Sequence, residues 1–221
     1  MKIKICGITN HEDAVMCATE GADALGFIFF EKSPRYIDPE KADDIIKRVP
    51  PFVMTIGVFV DVPTETVNET AGKLRLHAVQ LHGDESPAYV DMIKYPVIKA
   101  FRVDDGFDFR QLRAYSNHGI LLDAYSGAAY GGTGKTFAWQ VIPDEIRQSC
   151  IIAGGISSKN ICEVIEQVNP AGVDLSSSVE SEPGKKDPVK VKNFFRQLRS
   201  CRISSNYHGD KRKNTDYYGS A

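Results

Sequence analysis

The chain of 221 residues has little net charge and no long apolar run. The 27 Lys and Arg residues nearly balance the 29 Asp and Glu residues, and the formal net charge of −2 gives no reason to expect nucleic acid or an anionic membrane as a partner. No apolar stretch approaches the roughly 18 residues of a transmembrane helix. The opening residues, MKIKICGIT, contain no hydrophobic segment of a signal peptide. We therefore expect a cytoplasmic protein.

Cysteine is scarce, and no two cysteines are spaced as C-x-x-C. The five thiols lie at positions 6, 17, 150, 162 and 201. Their odd number, in a chain large enough to bury a core without cross-links, predicts reduced thiols rather than a disulfide framework.

Two nucleotide-binding signatures are also missing. The dinucleotide pattern G-x-G-x-x-G does not follow the first strand-like segment. The stretch GGTGKT at residues 131–136 resembles a P-loop but fails the pattern, because Ala129 stands where the first glycine is required. A glycine-rich loop of this kind is better interpreted as a mobile lid over a site.

A strand-like segment followed by a helix-like segment recurs eight times. Strands rich in Val, Ile and Phe with helical crossovers predict a parallel sheet covered by helices, and eight such units in about 200 residues predict a single-domain (β/α)8 TIM barrel. Residues 1–200 form this predicted barrel, and residues 201–221 form a short polar C-terminal tail. The predicted strands are KIKICGI, ALGFIFF, FVMTIGVFV, HAVQLHG, PVIKAFRV, GILLDA, CIIAGG and GVDLSSS.

The carboxyl ends of barrel strands and the loops after them form the active face of this fold. Alternation along the first strand turns Ile3 and Ile5 towards the helices and Lys4 and Cys6 into the barrel. Asp123, at the end of the sixth strand, also points inward. Cys6 alone fits a buried thiol, a zinc ligand or a proton-transfer group. Asp123 at the same rim favours proton transfer.

The loops after the seventh and eighth strands have the chemistry of a phosphate site. Gly154 and Gly155 allow a ligand to approach the backbone, and Ser157 is predicted to begin a helix whose amino end attracts anions. Ser177 and Ser178 follow the eighth strand. Barrels frequently bind phosphate in this position, so a phosphate group is the expected ligand. The alternative is that the glycines form only a tight turn and the serines only caps.

The motifs in barrel order resemble the phosphoribosylanthranilate isomerase family of tryptophan biosynthesis, over roughly residues 1–200. They are KICGIT, GFIFFEKSPRYI, GVFVD, AVQLHGDE, VIKAFRV, LLDA, GGTGKTFAW, IAGGI, VDLSSSVE and GKKD. The resemblance implies an Amadori rearrangement, an aldose-to-ketose isomerisation that needs no cofactor and no metal. It also implies a monomer or a homodimer.

Positions carry over from the family one by one. Cys6 stands at the general-base position and Asp123 at the general-acid position. Arg35 stands where the anthranilate carboxylate binds, and Gln80 and His82 where the substrate is positioned. An unperturbed thiol has a pKa of about 8.5 and an aspartic acid about 3.9, so we expect cations to lower the pKa of Cys6 and burial or anionic neighbours to raise the pKa of Asp123.

One departure concerns Ser178, because the family usually has glycine there. If that backbone needs a positive φ or a close approach of the phosphate, serine costs about 1 kcal/mol and weakens phosphate binding. Lys185 and Lys186 are expected to be solvated. Two other functions stay open: a related barrel enzyme acting on a phosphosugar, such as a lyase or the histidine-pathway sugar isomerase, and a degenerate barrel that binds phosphosugars for regulation.

Overall fold

The structure is a computed structural model and describes residues 1–104, 106–124 and 139–210, with the backbone alone at positions 124, 140 and 202–210. The lid predicted over residues 131–136 lies outside the described residues, as do residues 211–221 of the predicted tail. Within the described part of the chain, no helix has both the length and the apolarity needed to cross a membrane.

Eight parallel strands form a closed barrel in chain order, and the eighth strand pairs with the first. This confirms the predicted (β/α)8 fold. The barrel strands are β1 (Lys2–Cys6), β2 (Ala24–Ile28), β3 (Met54–Phe59), β4 (Ala78–Leu81), β5 (Val97–Val103), β6 (Gly119–Ala124), β7 (Ile151–Ala153) and β8 (Gly172–Leu175). A small antiparallel hairpin, β9 (Glu180–Glu182) and β10 (Lys185–Lys186), follows β8.

The described helices lie between the strands and after the hairpin. The α-helices are α1 (His11–Glu20), α2 (Pro39–Ile46), α3 (Thr64–Lys73), α4 (Pro87–Val90), α5 (Asp144–Arg147), α6 (Ile161–Gln167) and α7 (Pro188–Asp210). Short 3-10 helices span Phe109–Tyr115, Trp139–Val141 and Ser177–Val179. The connection after β5 is thus a 3-10 helix where a full helix was predicted, and α7 runs through the boundary expected after Ser200.

The barrel separates an outer apolar layer from a partly charged interior. Ile3 and Ile5 are buried in the large core between the sheet and the helices, which confirms the predicted alternation of β1. Small and branched side chains fill part of the interior, including Ala24, Ile56 and Ala78. Lys4 also lies inside and is buried. A charge in this interior requires a partner, because burial strongly disfavours an unpaired ion.

The prediction that all five cysteines are reduced is wrong. Cys162 on α6 and Cys201 on α7 form a disulfide, with Cα atoms 5.4 Å apart. Packing of α7 beside α6 brings them together, and their separation of 39 residues leaves no sequence signature. Cys6, Cys17 and Cys150 are free and buried.

Candidate active site

Cys6 ends β1 on the inner face of the barrel, where it is only 6% exposed. Its partner in register on β2 is Gly26. A Cβ built on Gly26 would lie 2.7 Å from the Sγ atom of Cys6 and 3.1 Å from the Cε atom of Lys4. Both side chains therefore pack into the space that the missing Cβ leaves.

Lys4 lies beneath Cys6 and pairs with Asp174, its register partner on β8. The Nζ–Oδ2 distance is 2.7 Å, and the two side chains are only 5% and 8% exposed. Burial disfavours the ammonium group, but the charges and hydrogen bonds of Asp174 and Cys6 together outweigh this and raise the pKa of Lys4. The other carboxylate oxygen of Asp174, Oδ1, is buried and has no hydrogen-bond partner among the described residues.

The thiol of Cys6 has a pKa above its ordinary value, because burial disfavours the thiolate. The charges of Lys4 and Lys186 act in the opposite direction and only partly offset the burial. The expectation that cationic neighbours bring this pKa below its ordinary value is therefore wrong for the free protein. The thiol is the resting form.

Gln80, His82 and Asp123 come together on the opposite side of the rim. The Nε2 atom of His82 lies 3.3 Å from Oδ2 of Asp123, and its Nδ1 atom lies 3.1 Å from Nε2 of Gln80. The side chain of Asp123 is 32% exposed, so solvent reaches this carboxyl group. Its charge also acts on Asp174 across the rim. The predicted acid and the surroundings of the predicted base therefore belong to one site.

A buried ion pair closes the loop after β4, which carries His82. The Nζ atom of Lys99 lies 3.1 Å from Oε2 of Glu85, and both side chains are at most 3% exposed. Glu85 also accepts hydrogen bonds from the backbone N–H groups of Asp61 and Gly83. A groove of about 430 Å³ runs beside this pair along β5.

Arg35 meets a protein carboxylate in this structure. Its guanidinium group donates to Glu180, and Lys186 binds the same carboxylate. The side chain of Lys186 is fully buried, so the expectation that it is solvated is wrong. Because Glu180 and the carbonyl of Cys6 both accept from its ammonium group, the buried charge is compensated.

The predicted phosphate end shows backbone and hydroxyl groups suited to an anion. Gly154 and Gly155 have φ values of +81° and +69°, a conformation that favours glycine. The Oγ atoms of Ser176 and Ser178 are buried without a hydrogen-bond partner among the described residues. Ser177 begins the 3-10 helix that follows β8.

Two details of that end differ from expectation. The α-helix after β7 begins at Ile161 rather than at Ser157, because Ser157 and Asn160 form a hydrogen-bonded turn before it. Ser178 is not among the residues with positive φ, so the serine carries no left-handed strain. The part of the expected cost that depends on a positive φ is therefore absent at Ser178.

The sequence reasoning missed Asp174, Glu180 and Lys99 as parts of the site. Asp174 had a usable signal, since it alternates onto the inner face of β8 and a buried lysine requires an acidic partner. Glu180 and Lys99 had no such signal, because Arg35 and Glu85, which bind them, lie on loops that follow other strands. Within the described residues, no group of three or more His, Cys, Asp or Glu side chains is arranged to hold a metal ion.

The closed parallel barrel, with a buried thiol, a partly exposed carboxyl group and unpartnered hydroxyl groups of described residues at one rim, defines a (β/α)8-barrel protein with a candidate acid–base site. Comparison with known proteins gives the family. The profile of N-(5′-phosphoribosyl)anthranilate isomerase matches residues 3–197. The chain belongs to the N-(5′-phosphoribosyl)anthranilate isomerase family.

Individual relatives cover nearly the whole described barrel. The N-(5′-phosphoribosyl)anthranilate isomerase of Pelobacter propionicus is 47% identical over 93% of this chain and 99% of its own length. The crystal structure of phosphoribosyl anthranilate isomerase from Thermotoga maritima is 41% identical and has a TM-score of 0.85, over 90% of this chain and 99% of that one. A further structure of such an isomerase, with bound reduced 1-(o-carboxyphenylamino)-1-deoxyribulose 5-phosphate, has a TM-score of 0.81 at 39% identity, over the same shares.

Proposed function

We propose that the protein converts N-(5′-phosphoribosyl)anthranilate into 1-(2-carboxyphenylamino)-1-deoxyribulose 5-phosphate, a step of tryptophan biosynthesis. Asp123 acts as the general acid and Cys6 as the general base. The observation that carries the proposal is that Cys6 ends β1 and Asp123 lies at the end of β6, so both side chains stand at the same rim of the parallel barrel. Membership of the isomerase family supports the same reaction.

The reaction begins at the ribose ring oxygen. Asp123 donates a proton to that oxygen, the bond between the oxygen and C1′ breaks, and the nitrogen lone pair forms a protonated Schiff base. The thiolate of Cys6 then removes the proton from C2′, and the C–H electrons form an enolamine. Tautomerisation gives the ketone. One carbon of the substrate is oxidised while its neighbour is reduced, so the scheme needs only proton transfers by side chains.

Other side chains bind and orient the substrate in this proposal. Arg35 binds the anthranilate carboxylate, and Gln80 and His82 hold Asp123 and the ribose. The backbone N–H groups at Gly154 and Gly155, with the hydroxyl groups of Ser177 and Ser178, bind the phosphate. The positive φ values of the glycines and the unpartnered Oγ of Ser178 support this assignment.

The raised pKa of Cys6 adds a condition on the base. The substrate must meet a thiolate, yet the free protein favours the thiol. The thiol must therefore lose its proton before it can act on C2′.

A fluorescence assay that follows the loss of freshly prepared phosphoribosylanthranilate tests the reaction. We expect turnover by the wild type and a loss of roughly 10²–10⁴-fold in Cys6→Ser and in Asp123→Asn, the range that a general acid or base contributes. Cys150→Ala and Asp108→Asn are matched controls, because Cys150 precedes β7 at the opposite end of the barrel and Asp108 is exposed beside Arg110. Absence of wild-type turnover would overturn the function, and full activity in Cys6→Ser would overturn the assigned base.

A further inference from the structure

Glu180, the first residue of β9, binds two cations with one buried carboxylate. Its Oε2 atom lies 2.7 Å from Nη2 of Arg35, and its Oε1 atom lies 2.7 Å from Nζ of Lys186. The Nε atom of Arg35 lies 3.0 Å from both oxygens. The Glu180 side chain is 3% exposed, and that of Lys186 is fully buried. Burial opposes ionisation, but the hydrogen bond from Arg35 and the charge of Lys186 more than offset it, so the pKa of Glu180 is lowered.

The contact with Glu180 fixes the plane of the Arg35 guanidinium group. Two parallel N–H groups of Arg35 form a fork that donates to one carboxylate. This fixes the orientation of the guanidinium group, which a single contact with a lysine ammonium group would not do. Its Nη1 atom makes no hydrogen bond within the described part of the chain, and the Arg35 side chain is 20% exposed, which leaves this nitrogen for a substrate. Gly7 permits the arrangement, because a Cβ at that position would lie 2.7 Å from Cδ of Arg35.

The other cation on this carboxylate holds the catalytic strand. Lys186 donates to the carbonyl oxygen of Cys6 at 2.6 Å, and its backbone N–H donates to Oδ2 of Asp13 on α1 at 2.7 Å. The end of β1 is therefore attached to the hairpin β9–β10 and to α1. One carboxylate, that of Glu180, connects the guanidinium group of Arg35 with the backbone of Cys6.

We propose that Glu180 is a positioning residue with two effects on the reaction, an inference that rests on the proposed function. It orients Arg35 towards the carboxylate of the aminobenzoate part of the substrate, and through Lys186 it holds the backbone that presents Cys6. The three side chains Arg35, Lys186 and Glu180 together keep one net positive charge. A substrate carboxylate therefore still meets an attractive site after Glu180 has been paired.

Two substrates separate orientation from general damage to the fold. Phosphoribosylanthranilate carries the carboxylate, and phosphoribosylaniline, prepared in the same way from aniline, lacks it. We expect the wild type to prefer the first by kcat/KM, because only that substrate meets Arg35. In Glu180→Gln we expect this preference to fall at least about tenfold, mainly through KM for the carboxylate substrate, since a loss of binding shared by ground and transition states appears in KM. A purely structural role would lower the rates on both substrates equally.

Further variants test the link to each cation. Arg35→Lys keeps the charge without the fork, so it should lose the preference to a similar degree. Arg35→Met should abolish it, and adding Glu180→Gln to that variant should cause no further loss of preference, because coupled residues are not additive. Lys186→Met should instead lower kcat on both substrates, since it releases the backbone of Cys6.

The control is Glu182→Gln, on the same hairpin but in an exposed pair with Lys185, and its preference should equal that of the wild type. If Glu180→Gln fails to fold, as judged by its thermal transition, the comparison of Arg35→Lys with Arg35→Met still decides, since equal preference in Arg35→Lys and the wild type would refute the oriented fork. A folded Glu180→Gln enzyme with the wild-type preference would overturn this inference alone. A wild type inactive on both substrates would overturn the proposed function and this inference with it.

Discussion

The two sides of the rim are built differently, although each carries one of the two proposed proton-transfer groups: Cys6 on the base side and Asp123 on the acid side. On the base side, Lys4 and Asp174 lie 2.7 Å apart with side chains 5% and 8% exposed. On the acid side, His82 and Asp123 lie 3.3 Å apart with side chains 23% and 32% exposed. Both pairs place a carboxylate against a nitrogen base, but only the first is shielded from water.

The two pairs should therefore differ in how much the folded protein depends on them. A buried ion pair contributes little net stability as a pair, yet removal of one partner leaves an unpaired charge in the interior. A half-exposed pair lacks that penalty, because water solvates whichever group remains. We therefore expect substitutions on the base side to affect folding as well as activity, whereas Asp123 on the acid side stays in contact with water.

The largest predicted effect tests the buried pair. Lys4→Met should lower the free energy of unfolding by about 3–5 kcal/mol, because Asp174 then stays buried without its partner. Chemical denaturation measures this change. Lys2→Met is the matched control: Lys2 lies on the same strand and pairs with Asp23, but its side chain is 80% exposed, so its loss should cost at most about 1 kcal/mol.

A second substitution completes that test. Lys4→Met with Asp174→Asn removes both charges and should recover part of the lost stability, since an amide costs less to bury than an unpaired carboxylate. Equal losses in Lys4→Met and Lys2→Met would show that the base side is no more dependent on pairing than the surface.

The next effect concerns packing around the thiol. In Gly26→Ala the new Cβ would lie 2.7 Å from Sγ of Cys6 and 3.1 Å from its Cα atom, so one of the two strands must shift. We expect a loss of about 1–3 kcal/mol, the usual range for overpacking, together with a lower kcat. Gly106→Ala is the control, because its nearest neighbour would lie at 3.6 Å, an ordinary contact. An unchanged thermal transition and kcat in Gly26→Ala would contradict the tight packing of Cys6.

On the base side, the sequence predicts which way the side chains of β1 point, but not which charged side chains are buried and paired. Alternation places Lys4 and Cys6 on the inner face of β1, and the structure agrees. Burial of Lys186 cannot be read from GKKD, because it depends on Glu180 and on the carbonyl of Cys6, 180 residues away in sequence. The same holds for the pKa of Cys6, which depends on how completely the barrel excludes water.

The exact start of a helix also cannot be predicted from the sequence when a few hydrogen bonds decide it. The pattern from Ser157 onwards looks helical, yet the side chain of Asn160 accepts from the N–H of Ser157 and delays the helix to Ile161. The strands were predictable because a fully buried parallel sheet demands continuous apolar runs. A cap or turn is decided by one or two side chains, so small changes of conformation alter it.

The smallest predicted change in stability tests the acid side. In His82→Gln, the pair with Asp123 is lost at 3.3 Å with both groups accessible to water, and the buried Gln80 amide loses its Nδ1 partner, so the free energy of unfolding should fall by about 1 kcal/mol. The value of kcat/KM should nevertheless fall about tenfold, less than the roughly 10²–10⁴-fold contributed by a general acid itself, because Asp123 loses its orienting partner. His118→Gln is the matched control, since His118 is similarly exposed, lies 3.6 Å from Asp91 and precedes β6 at the opposite end of the barrel. A loss of several kcal/mol in His82→Gln would mean that the acid side is as dependent on its pair as the base side, and the contrast between the two sides would fail.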